Sequence, residues 1–285
     1  MWWNRTAGRP AARANVERNA RATRERLDRW SPARDSLWAL VDGYLPAGAR
    51  VAVVGAGNGD DVPLWRLAER SAQVDLIDLD ARAARRARAR LPGDLRRRVA
   101  IVREDVTAGV ADELVTTAAS GDLPNAREAP STPVGKGGYD IVVGDLLYSQ
   151  LLYPALRDTT LPRERIGVVL ARIDRPLVAS VVRRLHASVA PGGVVVHIHD
   201  PLGWWDDHVQ PVSLDEILAA AAADVEAALE LVARGHGPTA CDPRAIALEA
   251  GIPLVETALW RWPFQRGVEY LACATVTRPG AVPLH

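Results

Sequence analysis

At 285 residues, with 48% hydrophobic and 25% charged residues, the chain is long enough to bury the core of one large α/β domain with appendages. A formal net charge of +0 leaves no global field to attract nucleic acid or an anionic membrane, and no apolar run approaches the ~20 residues of a bilayer span. Two cysteines, Cys241 and Cys273, exclude a disulfide framework and match no metal-ligand spacing, so no metal is expected. Arg5, Arg9, Arg13, Arg18, Arg21 and Arg24 interrupt any signal-peptide core, which makes the cytoplasm the expected compartment. Lys136 is the sole lysine, and its neighbours Gly135, Gly137 and Gly138 read as a loop, so amine catalysis is not expected.

Residues 1–30, with Trp2, Trp3 and Trp30 among the arginines, favour helix, either as an arm or lid or as a solvated face. Leu37, Trp38, Leu40, Val41 and Tyr44 form an apolar stripe ending at Pro46 and Gly48, which predicts a helix beside the first strand. Strand 51–54 then leads to helix 61–70, capped by Asp61 with Pro63 in its first turn. Strand 73–78, helix 81–91 capped by Asp80, strand 98–104 and a helix over 109–118 follow. Residues 119–138 are rich in Gly, Pro, Ser and Thr and read as a surface loop. Strand 139–144 precedes irregular chain, helix 175–189 starting from Asp174, and strand 193–199. Ser213 to Glu216 is a capping-box pattern that opens a helix to about residue 234.

Strands 253–261 and 268–277 are joined by the short Trp262–Gly267 segment. They must therefore pair antiparallel or lie apart, because parallel neighbours need a crossover of a dozen residues or more. The expected fold is α/β: a doubly wound, mostly parallel seven-stranded sheet with an antiparallel last strand, plus N-terminal helices. Residues 1–48 form the helical arm, 49–279 the main domain (with loop 119–138 and a loop-and-helix insertion at 202–235), and 280–285 a tail.

The segment Val51-Ala-Val-Val-Gly55-Ala-Gly57-Asn-Gly59-Asp60-Asp61 places three glycines on alternate positions after a buried strand. Such a loop suits a nucleotide-like ligand. A dinucleotide motif would need glycine at position 60, and two carboxylates there would repel a pyrophosphate. A cationic ligand without phosphate fits the acids better.

On these residues the chain resembles the class I S-adenosylmethionine (SAM)-dependent methyltransferases, whose glycine motif Gly55, Gly57 and Gly59 match. Asp78 ends the second strand, Asp105 ends the third, and Ala190-Pro191-Gly192-Gly193 precedes the fifth, all in the family's order. The resemblance covers about residues 35–277, and is strongest to a bacterial methyltransferase-like group with Gly-Ala-Gly-Asn and a Val-Asp-Leu-Asp-like second strand. It implies SAM as cofactor and S-adenosylhomocysteine as product. Asp78 would then hold the ribose hydroxyls and Asp105 the adenine amino group, with Leu79, Val106 and Asp145 completing the contacts. The family often has an acid where Val53 stands; Asp60 or Asp61 substitutes for it, or Asp61 only caps a helix.

Chemistry is expected at the carboxyl ends of the strands. His197 and His199 share one strand face by alternation, and His199 lies nearer that end, so it is the candidate base with Asp200 as orienter or second base. Asp145-Leu-Leu-Tyr148 faintly resembles the Asp/Asn-Pro-Pro-Tyr motif of methyltransferases acting on planar nitrogen, without its prolines. Tyr148 is thus a candidate for the catalytic set, and Tyr148, Gln150, Trp204 and Trp205 for acceptor binding. Trp260 and Trp262 alternate and are expected in the core or an interface. The expected activity is methyl transfer to an O or N nucleophile of a small molecule or peptide side chain. The alternatives are another SAM-like group transfer, such as aminopropyl transfer, or SAM binding without catalysis. Nucleic acid and membrane partners are not expected, and a homodimer stays open.

Overall fold

The computed structural model describes residues 9–21, 24–237 and 241–280; Trp2, Trp3, Arg5 and the tail 281–285 lie outside them. Seven strands form one sheet: β1 (Arg50–Val54), β2 (Gln73–Asp78), β3 (Val99–Arg103), β4 (Tyr139–Gly144), β5 (Val189–Trp204), β6 (Leu254–Gln265) and β7 (Val268–Thr277), in the order β3-β2-β1-β4-β5-β7-β6. The first five are parallel, and β7 runs antiparallel to both β5 and β6. This is the sheet the sequence leads one to expect.

Strand alternation divides the core into two layers. Val51 and Val53 face α3 (Ser31–Asp42), α4 (Leu64–Arg70) and α5 (Ala81–Ala89), meeting Leu37, Leu67 and Ala84. Ala52 and Val54 face α7 (Val110–Ala119), α8 (Tyr153–Arg157) and α9 (Arg163–Ala187), meeting Leu114, Leu156 and Leu177. The N-terminal helix α1 (Pro10–Ala20) joins that second layer through Ala11 and Ala14. It is therefore a packed element, and over Pro10–Ala20 the reading as a merely solvated face does not hold. The short helix α2 (Arg24–Arg29) links it to α3. No helix among the described residues is long and apolar enough to cross a membrane.

Several boundaries differ from expectation, each for a physical reason. Helix α4 starts at Leu64 behind Pro63, because the residue before a proline is held out of the helical region; Asp61 caps nothing. Helix α9 runs 25 residues straight through Pro176. Ile173, Leu177, Val178 and Val181 around that proline are fully buried, and their burial outweighs the ~3 kcal/mol a helical proline costs. Asp174 is not its cap but a buried acceptor for the Cys241 backbone N–H at 2.6 Å. Strand β5 continues to Trp204 because β7 pairs with it through Trp204–Glu269. The capping box at Ser213 forms, but Asp224 divides the expected long helix into α10 (Leu214–Ala223) and α11 (Val225–Val232). Three short helices were not foreseen, α6 (Gly93–Arg96), α8 within the expected irregular chain, and α12 (Pro243–Glu249).

Candidate active site

A cleft of about 820 Å³ opens at the carboxyl ends of β1, β4 and β5. Its floor is the glycine loop. Gly55, with φ +80°, has no room for a side chain, since an added Cβ would stand 3.0 Å from Leu147 Cβ and 3.1 Å from the Asp145 carbonyl oxygen. Register fixes that approach: the Asp145 N–H donates to the Val54 carbonyl at 2.9 Å, continuing the β1–β4 ladder past Gly144. Asp78 holds the loop from β2, accepting from the Gly57 N–H at 2.8 Å and the Asp80 N–H at 2.6 Å. Each carboxylate oxygen keeps a second lone pair for a ligand hydroxyl.

Asp61 and Asp145 meet in the cleft and share a hydrogen bond. Burial, then the neighbouring Asp61 charge and the shared hydrogen bond, and then Asp78, push the Asp145 carboxyl well above the usual carboxylate range. Burial and the charge of Asp60 also push Asp61 up, to about 6, against its own backbone N–H, Arg26 and the Asp145 hydrogen bond. Both carboxyls are thus held above the usual carboxylate range, as a pair sharing a proton. Like charges in contact favour such proton sharing.

Asp60 does something else. It is 3% exposed and accepts from Arg26 Nε at 2.9 Å and Arg90 Nη1 at 3.0 Å. Its charge is spent on tying the arm to the loop, so of the two acids weighed for the role absent at Val53, Asp61 is the one left with a carboxyl in the cleft not consumed by arginine. Asp105 likewise is engaged by the Thr107 N–H (2.9 Å), Thr107 Oγ1 (2.7 Å), the Gly109 N–H (3.0 Å) and Arg9 Nη2 (2.9 Å). It does not line the cleft; its neighbours Glu104 and Val106 do, as does Leu79. Gly59 also lies outside the lining, packed so that a Cβ would stand 3.2 Å from Ala87 Cβ.

The expected catalytic group divides. Asp200 lines the cleft and accepts from Ser149 Oγ at 3.1 Å; burial pushes its carboxyl up to about 6. His199 and Tyr148 do not line it. Alternation puts His197 and His199 together as expected, but on the face beneath the cleft, toward α9 and α12. There His199 Nε2 stands 3.4 Å from Asp242, and its Nδ1 is buried without a partner. Tyr148 Oη is hydrogen-bonded to His197 Nδ1, His197 Nε2 to His186 Nε2 at 2.9 Å, and His186 Nε2 to Thr277 Oγ1 at 3.0 Å. Burial holds His186 down to about 4 and His197 well below its ordinary value, while it raises Tyr148, so this is a neutral structural network. Trp204 is drawn into the sheet, where its indole N–H donates to the Val212 carbonyl at 3.2 Å; Trp205 and Gln150 do line the cleft.

Other lining residues were missed. Asn15, Arg18 and Asn19 reach in from α1, and Trp262, Phe264 and Tyr270 come from β6 and β7. Trp30 from the arm packs edge-on to Trp262 at 5.0 Å and donates its indole N–H to the Phe264 carbonyl at 3.0 Å. The one available signal was the alternation of Trp260, Trp262 and Phe264, which marks a strand with one aromatic face.

No protein-family model matches the chain, and no curated protein does. Among solved structures it is similar to a TehB-like SAM-dependent methyltransferase from Corynebacterium glutamicum (14% identity, 85% of this chain and 85% of that one, TM-score 0.41). It is also similar to a SAM-dependent methyltransferase from Methanosarcina mazei (13% identity, 85% and 97%, TM-score 0.45) and one from Aquifex aeolicus (12% identity, 86% and 90%, TM-score 0.42). These likenesses are remote and say nothing of the acceptor.

Proposed function

We propose that the chain is a SAM-dependent methyltransferase acting on a small molecule. The observation that carries this is the glycine loop held by Asp78 with the Asp61–Asp145 pair in the same cleft. The donor set fits a cationic nucleoside: carboxyls beside the loop for the ribose diol and the cation, and Leu79 and Val106 as apolar flanks for a base. It does not fit a pyrophosphate, which would sit against Asp61, Asp78 and Asp145. Bound there, SAM would supply an electrophilic methyl on sulfonium for the acceptor's lone pair, with the thioether as leaving group, and the acceptor's proton would pass to a base of this chain.

Asp200 is the base assigned by this reading, since its carboxyl lines the cleft and titrates near neutrality. Arm helix α1 and the aromatic wall of Trp262, Phe264 and Tyr270 exclude water from the acceptor side. The free cysteines Cys241 and Cys273 support a reducing, cytoplasmic setting.

Calorimetry with SAM, S-adenosylhomocysteine, decarboxylated SAM and NAD tests the reading. SAM and S-adenosylhomocysteine bind and NAD does not; failure of both of the first two overturns it, and a clear preference for decarboxylated SAM points instead to aminopropyl transfer.

A further inference from the structure

Two side chains of opposite charge enter the cleft over β4 and β5, and among the described residues neither forms an ion pair, although Asp158 is the charge that Arg18 feels most. Arg18 comes from α1 and donates to the Gln150 side-chain oxygen at 2.7 Å. Asp200 comes from β5 and accepts from Ser149 Oγ at 3.1 Å. Gln150 Nε2 in turn donates to Ser149 Oγ at 3.3 Å, so Arg18, Gln150, Ser149 and Asp200 form one relay with two neutral groups between the charges. Each charge feels the other without forming an ion pair. Burial works against both, lowering the affinity of Arg18 for its proton and raising that of Asp200. Partly buried opposite charges held apart by neutral spacers are stabilised by a ligand that brings the complementary pair.

We propose that this half of the cleft binds a free α-amino acid as methyl acceptor, with its carboxylate on Arg18 and its ammonium on Asp200. A simple amine would leave Arg18 unmatched, and a simple acid would leave Asp200 unmatched. The amino acid side chain then meets an aromatic wall. Trp205, 40% exposed, stacks on His208 at 4.1 Å between ring centres, and Tyr270 stands 6.3 Å from it. The cofactor contacts lie over β1, β2 and β4, at Gly55, Asp78 and Asp145, which leaves the Arg18–Asp200 relay for the acceptor. The assignment of the bound group as acceptor rests on the methyltransferase reading. In that reaction the ammonium gives a proton to Asp200, and the freed nitrogen lone pair takes the methyl.

The test is binding of the free L-amino acids to protein saturated with S-adenosylhomocysteine, each beside its amide and its deaminated acid. At least one amino acid should bind about ten-fold tighter than both controls. Arg18→Gln should erase the preference over the amide and Asp200→Asn the preference over the deaminated acid, while S-adenosylhomocysteine affinity stays within about two-fold, which also reports that the variants fold. The proposal is overturned if no amino acid binds, if the amide binds equally well, or if the variants weaken S-adenosylhomocysteine as much as the amino acid. Should S-adenosylhomocysteine itself fail to bind, the cofactor reading falls, and the same panel on the ligand-free protein still decides the amino acid site.

Discussion

Asp61→Asn should change how stability depends on pH. Asp61 stands at about 6 in the folded protein against 3.8 as its ordinary value, chiefly through burial. Its folded value is the higher one, so the folded state holds more protons between the two. Stability from this group is therefore present at low pH and lost as pH rises through about 6. The full loss is on the order of 3 kcal/mol, of which roughly 1 kcal/mol falls between about pH 5 and about pH 7.5. Asp61→Asn removes this term, and Asp145 also relaxes downward once the Asp61 charge is gone, which enlarges the difference in the same direction. Urea unfolding of wild type and variant at the two pH values gives the comparison. Subtracting one protein from the other cancels the opposing contribution of His186, which is held at about 4 and loses stability as pH falls. The variant should gain on the order of 1 kcal/mol on wild type from the lower pH to the higher. A difference between the proteins that stays constant with pH refutes the shared-proton account of Asp61 and Asp145.

Asp78→Ala leaves the Gly57 and Asp80 N–H groups without their acceptor, so stability should fall by about 2 kcal/mol and SAM affinity by ten-fold or more; calorimetry and urea melts measure both. Asp60→Asn weakens the contacts to Arg26 and Arg90, and limited proteolysis within residues 9–30 should accelerate while the far end of the sheet stays protected. Leu177→Ala, at a fully buried position just after Pro176, should cost about 2–5 kcal/mol in unfolding free energy.

The fold was largely readable because its signals are local. Runs such as Val51–Val54 and Tyr139–Gly144 mark strands by composition, and the glycines and Asp80 mark the turns and caps between them. Helix α9 was not readable, since Asp174 and Pro176 imitate a helix start and only burial against the sheet overrides them. The glycine-loop side of the cleft was legible in part for the same local reason: Gly55, Asp78 and Asp145 each sit at the end of a strand that sequence already defines, whereas Asp105 and Gly59 turn out to lie outside the lining.

The half of the cleft proposed for the acceptor was not legible, because nothing local decides it. Strand alternation pairs His197 with His199, but which face of the sheet they occupy depends on how α9 and α12 pack beneath β5. Arg18 is one arginine in a charge run until α1 is laid across the cleft, and Tyr270 and Trp262 reach it only because β7 inserts between β5 and β6. Asp200 escapes that ambiguity: the register of β5 against β7 shifts between His199 and Leu202, which frees the strand end from simple alternation and lets Asp200 meet Ser149 in the cleft. Strand parity keeps His197 and His199 together beneath the cleft and leaves the carboxylate beside the bulge to line it.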